Sequence, residues 1–235
     1  MSQTYPEDSV QFFVKTWWER DDALTICRGR LLRVFVPYTD QEPQELVATG
    51  RSEPRDHTRA DYEVRPLRVD RAVKTTTLPV AGMPTYSGEV RAVYRGKVRP
   101  VVVVSTGGPG ILPEFRRGAA RWQSVPTLLV APAFGADQDG TRGGWRPEFV
   151  KRIKRLEYPQ YLWDCLPIGG PGESIVRLDH LQPISRDPDA IRILPYRLSA
   201  EALAILDEQI AWLTTGELRG DGVIMMIREE LLKLP

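Results

Sequence analysis

The sequence predicts a mainly β protein with α elements: a small barrel followed by C-terminal helices, with an N-terminal α+β extension ahead of it. Three observations carry this. Short apolar runs punctuated by Gly and Pro recur from about residue 86, with the spacing of barrel strands. One long amphipathic segment with capping residues at both ends, Ser199 to Gly216, follows them. Leu78 to Tyr86, reading LPVAGMPTY, holds the prolines and glycine of a boundary. The expected division is therefore an extension over 1–80 and a barrel domain with its helices over 81–235.

In chain order, Ser9 to Arg20 is expected to form a short helix, with Ser9 as cap and Phe13, Trp17 and Arg20 at helical spacing. Residues 30 to 36, RLLRVFV, read as a strand closed by Pro37. Thr39 to Asp61, rich in Pro and charge, reads as an exposed loop. Tyr62 to Val73 alternates Val64, Leu67, Val69 and Val73 with basic residues, as one interrupted strand does. Barrel strands are expected at Glu89–Tyr94, Val98–Ser105, Thr127–Ala133, Tyr161–Pro167, Glu173–Leu178 and Ile191–Leu194. In the long helix, Ser199 caps the start, Leu198 and Leu203 are placed as a hydrophobic staple, and Gly216 can take the left-handed closing position. Its stripe of Leu203, Leu206, Ile210 and Leu213 is a packing face. A last helix, Gly222 to Leu234, carries Met225 and Met226 as packing residues.

Composition bounds the function. With 42% hydrophobic and 27% charged residues, the 235-residue chain can bury a real core. Its 32 Lys and Arg nearly balance 31 Asp and Glu, so any contact with nucleic acid must come from local patches. Cys27 and Cys165 lack zinc or redox spacing and read as buried thiols. No apolar run reaches the ~18 residues of a membrane span, and MSQTYPEDSVQFF lacks the basic start of a secretion signal. The expectation is a cytoplasmic protein without membrane contact. STGGPG, Ser105 to Gly110, lacks the spacing and Lys of a phosphate-binding loop and reads as a turn. No cofactor and no metal ligand set is expected.

The strongest patch is TRGGWRPEFVKRIKR, Thr141 to Arg155. Arg142, Arg146, Lys151 and Arg152 are interleaved there with Trp145 and Phe149, the pattern in which phosphates pair and bases stack. A solvated helix face with buried aromatics explains the same residues. A weaker cluster comprises Arg91, Arg95, Lys97 and Arg99.

GEVRAVYRGKVRPVVVVS, TLLVAPAFG and the passage from Glu173 to Gly216 stand in the order seen in one known family. Residues 86–216 thereby resemble the MazF/PemK-like growth-inhibitor toxins. The resemblance implies an SH3-like, PemK-type barrel and metal-independent RNA cleavage. It also implies RNA as substrate, an antitoxin protein as partner, and a homodimer.

Such cleavage proceeds by attack of a 2′-hydroxyl on the adjacent phosphate, so the enzyme must move protons and stabilise charge on the phosphoryl oxygens. Arginine suits the second task through its planar fork of donors. The family's Arg of the Arg-Pro pair corresponds to Arg99, whose alternative role is a strand-edge ion pair. Where the family keeps a Thr or Ser, this sequence has Phe134, which offers no hydrogen bond. Ser105 is the substitute hydroxyl candidate, with Thr106 and Thr127 behind it. His57 and His180 are the only imidazoles, and a two-histidine mechanism would need both in one cleft. The expected catalytic residues are Arg99 and Ser105; the expected RNA-binding residues are Arg95, Lys97, Arg142, Trp145, Arg146, Lys151 and Arg152. The alternative is a catalytically degenerate barrel that binds nucleic acid or protein.

Overall fold

A computed structural model describes residues 4–68, 70, 88–118, 125–137, 144–169 and 172–234. The chain divides into two compact units, 36–97 and the combination of 1–35 with 98–235. The expected division near residue 80 falls outside the described residues.

The larger unit is built on a curled antiparallel half-barrel sheet. Its strands are β1 (Trp18–Arg20), β2 (Arg30–Pro37), β6 (Gly96–Ser105), β7 (Leu128–Gly135), β8 (Tyr161–Asp164), β9 (Ser174–Arg177), β10 (Gln182–Ile184) and β11 (Ile191–Leu198). Their order is β1-β11-β2-β6-β7-β9-β8, with β10 on β7. The described helices of this unit are α1 (Pro113–Arg116), α2 (Pro147–Lys154), α3 (Ala200–Thr215) and α4 (Val223–Leu231).

Strand alternation divides the core in two. Val102, Val104, Ala131, Ala133, Leu162 and Val176 face a cluster completed by Ile205 and Leu206 of α3 and by Ile224, Ile227 and Leu231 of α4. Trp163 and Ile175 point the other way, against Val150 and Ile153 of α2. Val101 to Val104 of β6 are all buried, so both faces of that strand are covered and its valine run is unbroken. The α3 cap is as expected: Ala202 N donates to Ser199 Oγ at 3.1 Å, and Gly216 closes the helix at φ +77.

The expected N-terminal helix is not formed. Only a 3-10 turn, Val10–Phe13, appears there, and Trp18–Arg20 pairs with Leu198–Tyr196 as β1. Extension at the sheet edge lets both neighbouring indoles reach one buried carboxylate. Trp17 Nε1 and Trp18 Nε1 donate to Asp164 Oδ2 at 3.2 and 2.9 Å, and Tyr5 Oη donates to Oδ1 at 3.0 Å. Burial pushes the Asp164 carboxyl up to about 7 against these three donors and the Cys165 backbone N–H, and raises the Tyr5 phenol as well. Cys27 and Cys165 form no disulfide and are half-buried rather than fully buried.

Within the 36–97 unit, β3 (Gln44–Gly50) lies between β4 (Asp61–Pro66) and β5 (Ala92–Val93). The expected loop thus contains a strand, because β3 pairs on both edges and satisfies its backbone there.

Candidate functional site

The site grows from the end of the β6–β7 pairing. Pro100 and Pro132 contribute no N–H donors, and the β6–β7 register runs from Ser105 opposite Leu129 to Val101 opposite Pro132. Beyond it, the Arg99 guanidinium lies over the Phe134 ring, 4.2 Å from its centroid. Phe134 is opposite Ile175 on β9, and Arg177, two residues on, is opposite Tyr161 on β8. Period-two alternation puts Arg99, Phe134, Arg177 and Tyr161 on one face, the face that α2 only partly covers.

Arg177 completes the cluster. Its guanidinium is 5.9 Å from the Phe134 centroid and 5.7 Å from that of Tyr161, and its Nε donates to Asp179 Oδ1 at 2.9 Å. His180, just after β9, meets Phe134 edge-on at 6.0 Å. Two guanidiniums and an imidazole thus converge on one ring. Such a group can bind a phosphate and can also exchange a proton.

Tyr161 joins this cluster to a second. Trp145 and Phe149 stack at 5.5 Å, and both meet Tyr161, at 5.3 and 5.7 Å; Tyr158 closes the group against Phe149 at 5.0 Å. Beside them is an open groove of about 740 Å³, lined by Trp145, Arg146, Glu148, Phe149 and Arg152. Arg146 and Arg152 are exposed, but Arg152 Nε also donates to Glu157 Oε2 at 2.7 Å while its guanidinium lies 4.9 Å from the Tyr158 centroid. Lys154 is likewise engaged, by Glu173 at 2.8 Å. The basic run is therefore less charged toward solvent than its composition suggests.

The predicted residues are dispersed unevenly. Arg99, Trp145, Arg146, Lys151 and Arg152 belong to the larger unit, with Lys151 exposed on α2. Arg95 and Lys97 belong to the 36–97 unit, where Arg95 Nε donates to Gln41 Oε1 at 2.9 Å. Arg142 lies outside the described residues. Ser105 is not brought to Arg99: it ends β6 six residues away, about 20 Å at strand rise. Its Oγ accepts from Gly107 N at 3.1 Å, the bond of a turn residue. His57 belongs to the 36–97 unit, 3.0 Å from Arg51 through Nδ1.

Arg177, Tyr158 and Tyr161 were not named as site residues in advance, and His180 was weighed only as one half of a two-histidine pair with His57. The alternation in SIVRLDH marks Arg177 as facing away from buried Ile175's neighbour Val176, but only the β8–β9 register sets it against Tyr161. Among the described residues no group of three or more His, Cys, Asp and Glu could hold a metal ion. No helix among them is long and apolar enough to cross a membrane. Comparison with protein-family models, with curated proteins and with solved structures returned no match.

Proposed function

We propose that the larger unit binds single-stranded RNA across the Arg99–Tyr161–Trp145 surface and cleaves it without metal, as a MazF/PemK-like toxin-type protein. The observation that carries this is the convergence of Arg99, Arg177 and His180 on Phe134. In this reading Arg99 and Arg177 stabilise the phosphoryl oxygens as negative charge builds there. His180 takes the 2′-hydroxyl proton as O2′ bonds to phosphorus and returns it to the 5′-oxygen as that P–O bond breaks, leaving a 2′,3′-cyclic phosphate and a 5′-hydroxyl. Phe134 orients Arg99 by its ring face. Trp145 and Phe149 offer stacking surface to bases, the sequence-tolerant part of single-strand binding. An antitoxin-like protein and a second copy of the chain are the partners that belong to this reading.

The second reading, a barrel that grips RNA without cutting it, is favoured by the remoteness of Ser105 and by the missing hydroxyl at Phe134. A labelled single-stranded RNA separates the two. Arg99→Ala is expected to weaken binding about tenfold and to flatten its salt dependence by ~0.7 in log–log slope, as loss of one phosphate contact does. His180→Ala is expected to abolish cleavage while leaving binding within about twofold. RNA held but left intact by the native chain selects the binding reading; RNA neither held nor cut ends both.

A further inference from the structure

The glycine turn after β6, which lacks the spacing of a phosphate-binding loop, borders a concavity. Gly107, at φ +78, is forced: a Cβ there would lie 2.5 Å from Pro126 Cβ and 2.6 Å from Thr127 O. The next residue, Gly108, at φ +83, has nothing within 4 Å of its Cβ position. The turn is thus pressed against the lead into β7 on one side and open on the other. On the open side is a concavity of about 360 Å³ bounded by Thr106, Gly108, Gly110, Pro126, Arg116 and Arg186.

The two arginines are fixed by backbone, not by acids. Arg186 Nε donates to Pro126 O at 2.8 Å and its Nη2 to Thr106 O. Arg116 Nε donates to Ile111 O at 2.6 Å, and its Nη2 approaches the Gly110 Cβ position at 3.4 Å. Among the described residues neither guanidinium has a carboxylate partner. Carbonyl dipoles orient a guanidinium without cancelling its charge, and most of each fork's donors remain available. Two oriented, uncompensated charges therefore share one concavity.

We propose that this concavity binds a phosphate monoester group. The argument is charge and shape: two guanidiniums match a group carrying close to two negative charges at neutral pH, with three acceptor oxygens. A carboxylate or a phosphodiester carries one. Gly108, lacking a side chain, lets the anion approach the backbone of the turn. The site is at the Ser105 end of β6 and stands apart from the Arg99 surface at the other end.

The test is calorimetric titration of the full chain with methyl phosphate and with dimethyl phosphate at matched ionic strength. Saturable binding of methyl phosphate, at least about tenfold tighter than the diester, is expected. Arg116→Gln should weaken it about tenfold, since one charged partner is lost. Gly108→Asn and Gly108→Asp isolate the charge, because both side chains tolerate a positive φ. The Asp variant should lose binding and the Asn variant should keep most of it. The proposal is overturned by equal binding of the two esters, by equal behaviour of the Asn and Asp variants, or by the absence of saturable binding.

Discussion

Asp164 shows how a single side chain ties stability to pH. It is fully buried and held by three side-chain donors and the Cys165 backbone N–H, and its carboxyl is raised to about 7 from an ordinary value near 3.8. An acid raised on folding binds more protons in the native state than in the unfolded one, so its contribution is complete below about pH 4 and is lost as pH climbs to 7. Up to roughly 4 kcal/mol is at stake across that window. Urea unfolding of the native chain and of Asp164→Asn at pH 4.5 and pH 8 checks this. The stability difference between them should move against the native chain as pH rises; a pH-independent difference would refute it. Nothing in the run YLWDC announces such a residue, since its neighbours read as an ordinary apolar strand. Its side-chain donors come from residues 5, 17 and 18, and only folding brings them there. Arg30 is comparable: it is fully buried, paired with Asp21 and donating to Thr25 O, although it opens what reads as an apolar strand.

Helix α3 was legible where chemistry is local. Its Ser199 cap and Gly216 terminus depend on neighbours within a few residues, so the sequence displays them. Its buried face was less legible. Ala202, Ile205, Leu206 and Gln209 are the buried positions, while Leu203, Ile210 and Leu213 of the expected stripe are only partly buried. The rotation brings Gln209 inward, where Nε2 donates to Tyr161 O at 2.7 Å and to Tyr158 O at 3.3 Å. A buried amide thus fastens α3 to the two tyrosines of the aromatic cluster. Gln209→Ala is expected to cost about 1–3 kcal/mol, because two buried carbonyls lose their donor. It should also weaken RNA retention through Tyr161, by less than Arg99→Ala does. Thermal unfolding and RNA binding on the same variant decide it, and unchanged retention would detach the helix from the site. At the N-terminus the periodic pattern misled, because pairing with β11 overrides a short stretch's helical preference.

At the scale of the whole molecule, the two ends of the 36–97 unit meet within it, since Tyr38 N donates to Arg95 O at 2.8 Å. Replacing 39–94 with Asn-Gly, a two-residue hairpin turn, is therefore expected to preserve a single cooperative thermal transition. Removing residues 1–35 is expected to abolish it, because β2 lies between β11 and β6 inside the sheet. The opposite pattern in circular-dichroism melts would refute this account of how the chain is divided. The sequence by itself determined the mainly β character, most of the barrel strands and the capped helix, all of which rest on periodicity and near-neighbour chemistry; Arg99 became a candidate only through the family resemblance. Only the tertiary structure decided that β1 and β2 belong to the barrel sheet, that Ser105 is remote from Arg99, and that Arg177 and His180 share its ring. The physical reason is that strand pairing joins residues far apart in the chain, and no local pattern encodes which edge a strand will meet.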